Sequence, residues 1–412
     1  MRHQHPTPDG WQNEAPAPFL RVGARESSRV MPVELFFDLV YVLAITQLTH
    51  YLLTHLTLRG AVEALLLLLA VWLSWINIVW ITNYFDLRAR PVQLTLIGLM
   101  LVSLFVSSSL PEAFDGRGAT TAAAFVILLA GPAALALLAV GREHALGVVF
   151  ERVLVWCALA GLVGIAGGLA DEDGRVVIWL AGTLIVYGGM WLGFPLPRLG
   201  HSHTTDYTIN GEHMAERCLL FVTIALGESI IVTGSNFGDL PTSTERGAAF
   251  VVAFIGSALI WWTYFDRGAE AGREIISSAE DPGRLGLIAY TYCHIPIVAG
   301  IIVAAAGDEI AIAHPSQEVS TGEAALILGG PALYLAGHSL FKLALWGHLS
   351  PSRATGIIAL GALVPLAVVA PALMLITAAT AVLLGVVIWD LLIERRLLAE
   401  GVPVAEELEI SA

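Results

Sequence analysis

ATTAAAFVILLAGPAALALLAV, residues 119–140, carries no charged side chain in twenty-two positions. A helix needs about 20 mostly apolar residues, each rising about 1.5 Å, to cross the hydrocarbon of a bilayer. The run is continuous rather than alternating, so it reads as a spanning helix and not as a barrel strand. Eleven further stretches qualify by the same measure: 33–54, 61–82, 91–110, 147–170, 175–195, 213–234, 247–265, 284–306, 322–346, 354–371 and 373–393. Only a tight turn near Pro371 parts the last two. The expected fold is all-α, a polytopic transmembrane bundle of about 12 spans.

The composition agrees. Of 412 residues, 56% are hydrophobic and 14% charged, and the mean hydropathy is +0.75. Soluble domains carry about 25% charged residues. An ordinary soluble enzyme, a disordered scaffold and a disulfide-rich secreted module are thereby excluded. The net charge of -14 offers no basic surface for nucleic acid. Cys157, Cys218 and Cys293 stand singly in apolar runs with no CxxC spacing, so neither a disulfide framework nor a zinc finger is expected.

Loop charge sets the expected orientation. With the N-terminus inside, seventeen of the 21 basic residues fall in inner segments and four (Arg59, Arg117, Arg175 and Arg246) in outer ones. Basic residues gather on the cytoplasmic side, so both termini are expected in the cytoplasm, the protein lying in the plasma membrane. Residues 1–32 are polar and have no apolar signal region, and they read as a mobile cytoplasmic arm. Residues 397–412 read as an acidic cytoplasmic tail.

The chain also echoes itself. Tyr84-Phe85-Asp86, then Arg88, recurs as Tyr264-Phe265-Asp266, then Arg267. Gly131-Pro132-Ala133 recurs as Gly330-Pro331-Ala332, and the first and seventh spans open with Glu34 and Glu216. These echoes point to two tandem six-span repeats, 33–200 and 201–396, in parallel orientation. In such folds the site usually lies between the halves. Asp86 with Arg88 and Asp266 with Arg267 read as interfacial ion pairs, with Tyr and Phe at the headgroups.

Each charge inside a span costs about 2.5–3.5 kcal/mol on insertion scales and needs a reason. Glu34, Asp38 and Tyr41 share one face of the first span, at i, i+4 and i+7, and Thr49 continues the stripe. Two readings stand: carboxylates lining a cation or proton site, or Glu34 at a helix N-terminus and Asp38 in a buried ion pair. In the seventh span Asn210 is placed to cap, His213 and Arg217 are i, i+4 neighbours, and Glu216 sits between them. Glu228 follows Arg217 by eleven residues, so it shares that face about 16 Å deeper, beside Gly227, a point where a neighbouring helix can come close. It is either a protonated carboxyl bonded to a backbone carbonyl or part of an ion pathway.

His201, His203 and Asp206 have the chemistry of a metal site but match no zincin spacing, and a polar loop is the plainer reading. No cofactor is expected. Asn77, His294 before Pro296, and His338 four residues before Lys342 are further polar groups inside spans.

Val33-Glu34-Leu35-Phe36-Phe37-Asp38-Leu39-Val40-Tyr41-Val42 resembles the opening signature of the low-temperature-requirement protein A (LtrA) family. His213-x-x-Glu216-Arg217, then Leu226-Gly227-Glu228-Ser229, resembles its second signature. The resemblance covers about 30 to 395. It implies a bacterial polytopic membrane protein named for a requirement in growth at low temperature, and it supplies no reaction or substrate.

Three functions therefore stand in order. The first is a transporter or ion/proton pathway using Asp38, Glu228, Glu34, Tyr41, His213, Glu216 and Arg217, whose partners are the lipid bilayer and a small ion or small-molecule substrate, as a monomer or a homo-oligomer. The second is an intramembrane enzyme acting on a lipid or isoprenoid head group. The third is a non-catalytic membrane protein whose acids lock helices together.

Overall fold

Hydropathy alone places the helices. The computed structural model describes residues 19–21, 29–239, 241, 243–265 and 268–400. Among them, twelve helical segments are long and apolar enough to cross a membrane. The first six are α1 (Pro32–Thr54), α2 (Leu58–Thr82), α3 (Arg90–Ser109), α4 (Gly118–Val140), α5 (Ala145–Leu169) and α6 (Glu172–Trp191). Then come α7 (Gly211–Asp239), α8 (Thr244–Phe265), an amphipathic α9 (Gly268–Ser278) and a one-turn α10 (Pro282–Leu285). A π-helical stretch, Gly286–Tyr292, leads into α11 (His294–Ala313). The last are α12 (Thr321–Trp346), α13 (Pro351–Ala362) and α14 (Ala372–Glu400), the final pair joined through a 3-10 turn at Val364–Val368. The protein is a multi-pass membrane protein, all-helical among the described residues.

The chain forms two compact units. One holds the described part of Met1–Ala44, with Leu65–Arg217 and Ser277–Gly286. The other holds Ile45–Ala64, Cys218–Ile276 and the described part of Leu287–Ala412. In the first, α4 packs along α5 and α5 along α6, and α2 is the buried centre, with Trp72, Trp75, Ile76 and Val79 fully enclosed. In the second, α11 packs along α12 with little between their backbones. A Cβ on Gly307 would stand 2.9 Å from Ile327 Cα, and Gly300, Gly330 and Gly337 meet facing backbone in the same way. Large apolar side chains point outward, among them Leu101 at 69% and Leu138 at 80% exposure. In water that would be costly, and in a bilayer it is the lipid-facing surface.

Helix ends are satisfied by arginine where the chain turns. Arg175, at the start of α6, donates to the carbonyls of Ala113, Asp115, Gly168 and Ala170. Arg246, near the start of α8, donates to those of Ile312 and Ala313 at the end of α11. Both supply donors to terminal carbonyls that no helix can pair itself.

Candidate functional site

Asn210 opens α7 as anticipated: its Oδ1 accepts from the His213 N–H at 3.0 Å. That cap aims His213 and, one turn on, Arg217 inward, and both are buried, at 0% and 1% exposure. On α1, Glu34 and Asp38 are likewise fully buried. The two pairs meet. Arg217 Nη1 donates to Glu34 Oε1 at 2.5 Å and Nη2 donates to Asp38 Oδ1 at 2.6 Å. Glu34 Oε2 accepts from the Met31 N–H at 3.0 Å and lies 3.1 Å from His213 Nε2. Glu34 therefore anchors a helix start and, with Asp38, sits in a buried ion pair.

From α2, Trp75 Nε1 donates to Asp38 Oδ1 at 2.7 Å, and the Arg217 guanidinium lies 5.7 Å from the Trp75 ring centroid. Nothing in the spacing of Trp75 along its apolar run marks the direction of its N–H. Asn83, just past α2, is the other residue missed. Its Oδ1 accepts from the Asn210 N–H at 2.7 Å, its Nδ2 donates to the Asn210 carbonyl at 3.1 Å, and the same Nδ2 faces His213 Nδ1 at 3.4 Å. Two atoms of the cluster, Asp38 Oδ2 and Arg217 Nε, are buried without a hydrogen-bond partner among the described residues.

Tyr41 lies a turn below Asp38, its hydroxyl 3.2 Å from Ser74 Oγ and 3.4 Å from Ser103 Oγ. Outside the spans, residues 19–21 reach this end of the unit. The Arg21 N–H donates to the Tyr84 carbonyl, and the Asp86 N–H to that of Phe19. Burial lowers the Arg21 guanidinium from its ordinary range, against the pull of Glu34 and Asp86. Burial also pushes the Tyr84 phenol up.

Other sequence candidates fall elsewhere. Glu216 is half-buried and outside the bonded set. Glu228, in the second unit and 5% exposed, accepts from the Thr46 hydroxyl of α1, where one reading had it bonded to a backbone carbonyl. Gly227 is no point of close approach, because a Cβ there meets nothing within 4 Å. Thr49 bonds back to the Ile45 carbonyl of its own helix.

Asp86 and Arg88 meet through the main chain: the carboxylate accepts from the Arg88 N–H at 3.0 Å. That is a turn motif in place of the anticipated ion pair, favoured because a short Asp side chain reaches two residues ahead. Asp266 and Arg267 lie outside the described residues, as do most of the 1–32 arm and 401–412 of the tail.

The His201 and His203 rings pack edge to face at 4.5 Å. Asp206 turns its carboxylate onto the His203 N–H at 2.8 Å, closing a 3-10 turn instead of supplying a ligand. No three His, Cys, Asp or Glu side chains gather as a metal set among the described residues.

In the second unit His294 Nε2 lies 2.8 Å from the Tyr264 hydroxyl and Nδ1 lies 2.9 Å from the Ala289 carbonyl of the π-helical stretch. His338 Nδ1 accepts from Arg353 Nε, and Arg353 pairs with Asp390 at 3.0 Å. These groups satisfy one another. The first unit also has a half-open apolar pocket between α2, α4, α5 and α6. Its Trp179 and Tyr187 donate to backbone carbonyls, so it offers no polar group to a charged ligand.

The buried ion cluster lies within the stretch that the comparisons match. The family profile described as bacterial low temperature requirement A protein (LtrA) matches residues 29–388, which include Glu34, Asp38, His213, Arg217 and Glu228. An uncharacterized protein of Rhizobium meliloti (strain 1021), RA0937, is 35% identical over 328 residues, covering 79% of this chain and 80% of the relative. No solved structure matches the chain. With a family match across most of its length and twelve apolar helices, the chain belongs to the LtrA family of bacterial membrane proteins.

Proposed function

We propose that the protein is a transporter or ion/proton pathway whose coupling ion binds at the Glu34–Asp38–His213–Arg217 cluster. One observation carries the reading. Four ionisable side chains are withdrawn from water inside membrane-spanning helices, and one carboxylate oxygen and one guanidinium N–H among them remain unpaired among the described residues. Ionisable groups held within a membrane mark ion and proton pathways. Glu228, eleven residues further along α7 and within the other unit, is a second intramembrane carboxyl of the same kind.

The protein lies in the plasma membrane with both termini in the cytoplasm, as the basic residues of its loops indicate. The tandem six-span origin belongs to the same reading. What supports it is that Pro132 and Pro331 each interrupt a spanning helix, α4 and α12.

The test is ion and proton flux in proteoliposomes across a pH series, wild type against Asp38→Asn and Glu228→Gln. Flux lost in both variants while each remains folded supports the reading. Flux absent from folded wild-type protein under several gradients, with both substitutions acting only on stability, leaves the acids as helix locks and overturns it.

A further inference from the structure

We infer that the ion held by this cluster is a proton, that it resides on Asp38 Oδ2, and that Asn83 keeps it there by holding His213 neutral. The inference deepens the transport reading by naming its ion, but the protonation itself stands on hydrogen bonding.

The argument starts from the backbone, whose donors and acceptors are unambiguous. The Asn210 N–H identifies the Asn83 atom at 2.7 Å as the amide oxygen, and the Asn210 carbonyl identifies the other as the amide nitrogen. That orientation follows from the network rather than from an assignment of indistinguishable atoms. The nitrogen therefore faces His213 Nδ1 as a donor. Nδ1 is then an acceptor and carries no hydrogen. The ring's proton sits on Nε2, aimed at Glu34 Oε2. A second proton on Nδ1 would set N–H against N–H, so His213 is held as the neutral tautomer.

Glu34 accepts from three N–H donors: Arg217 on Oε1, His213 and Met31 on Oε2. Three donated hydrogen bonds favour the ionised form, so Glu34 is the carboxylate. Arg217 balances it. Asp38 shares the Arg217 guanidinium with Glu34. Arg217 faces it from α7, Trp75 from α2, and Glu34 and Tyr41 from its own helix. Arg21 adds a second positive charge near Glu34, and Asp86 lies near Arg21. Asp38 Oδ1 accepts from both Arg217 and Trp75, whereas Oδ2 is bare and buried. A bare carboxylate oxygen in such a place is far costlier than a neutral hydroxyl. The proton therefore belongs on Oδ2.

A metal cation does not fit this arrangement. Hard cations gather six or more oxygens, and of the four carboxylate oxygens here three are taken by N–H groups. On release the O–H bond breaks, the electron pair stays on Oδ2 and the proton passes to water in the pathway. Arg217 Nε, the other unpaired atom, is the donor to which the ionised carboxylate then turns.

The test is infrared difference spectroscopy of the full chain in nanodiscs, in light and heavy water. We expect a protonated-carboxyl stretch at neutral pH that shifts in heavy water, disappears in Asp38→Asn and persists in Glu228→Gln. Asn83→Ala should weaken the band and change its pH dependence, because His213 Nδ1 is then free to take the proton; a merely structural Asn83 would leave both unchanged. Asp38→Asn retains an acceptor for Arg217 and Trp75, so it is expected to fold. Should it not, Asp38→Glu must shift the band. A wild-type spectrum without the band, a band indifferent to Asp38, or a band removed by adding sodium or potassium at constant pH overturns the assignment. The band without flux would leave the proton in place and remove the transport reading; flux without the band would do the reverse.

Discussion

Replacing Arg217 by methionine tests whether one guanidinium holds two helices together. The substitution keeps an unbranched stem and removes both hydrogen bonds, at 2.5 and 2.6 Å, to Glu34 and Asp38. Hydrogen bonds to charged groups contribute about 1.5–3 kcal/mol each, and removing one partner of a buried ion pair costs about 3–5 kcal/mol, because the remaining charge is left uncompensated. All three side chains are at most 1% exposed, so solvent screening does not discount the figure. A loss of about 4 kcal/mol corresponds to roughly a thousandfold in the unfolding equilibrium. It is read by tryptophan fluorescence during denaturant titration in detergent. The triple variant Glu34→Met, Asp38→Leu, Arg217→Met removes every charge together and should recover most of that loss, since buried ion groups replaced by apolar ones are often neutral or better. An Arg217→Met protein within about 1 kcal/mol of wild type, or a triple variant no better than the single one, would refute the reasoning.

Three further outcomes follow from the geometry. Trp75→Phe deletes the N–H that reaches Asp38 Oδ1 and should cost about 0.5–1.5 kcal/mol, the value for a neutral acceptor; a loss of about 2–3 kcal/mol in the same titration would mean that Asp38 is charged. Gly307→Ala should destabilise by about 1–3 kcal/mol through overpacking against α12, whereas Gly227→Ala, in open space, should be neutral or stabilising by up to about 1 kcal/mol, both read as unfolding midpoints. Burial pushes the Tyr207 phenol up to about 12; its contribution to stability is fully present below the ordinary tyrosine range near 10 and is lost as pH rises through about 12. The difference between wild type and Tyr207→Phe in alkaline absorbance titration should therefore rise near pH 12, and a rise near 10 would contradict it.

The spans were legible because hydropathy is local. Each spanning segment overlaps its apolar run, with ends displaced where polar turns lengthen a helix, as at Pro282–Ala313. The amphipathic α9 was not legible from apolar length, since its eleven residues fall short of a span. The site was half legible. The cost of burying charge singled out Glu34, Asp38, His213 and Arg217 one helix at a time. Their pairing was not visible, because helical spacing relates only neighbours on the same helix, and it joined Arg217 to Glu228 instead of to residues 179 and 183 positions earlier. Asn83 carried no signal at all. Its role depends on which way an amide faces, and only the backbone of Asn210 decides that.

That separation along the chain also has a meaning in time. A ribosome adding about 5–20 residues per second takes roughly 10–35 s to travel from Glu34 and Asp38 to Arg217. For that interval α1 has emerged with two acids and without the residue that neutralises them. Five further spanning segments, α2 to α6, are synthesised before the counter-charge arrives. Biogenesis therefore needs somewhere for α1 to wait: at the membrane surface, within the insertion machinery, or in the bilayer with both carboxyls protonated.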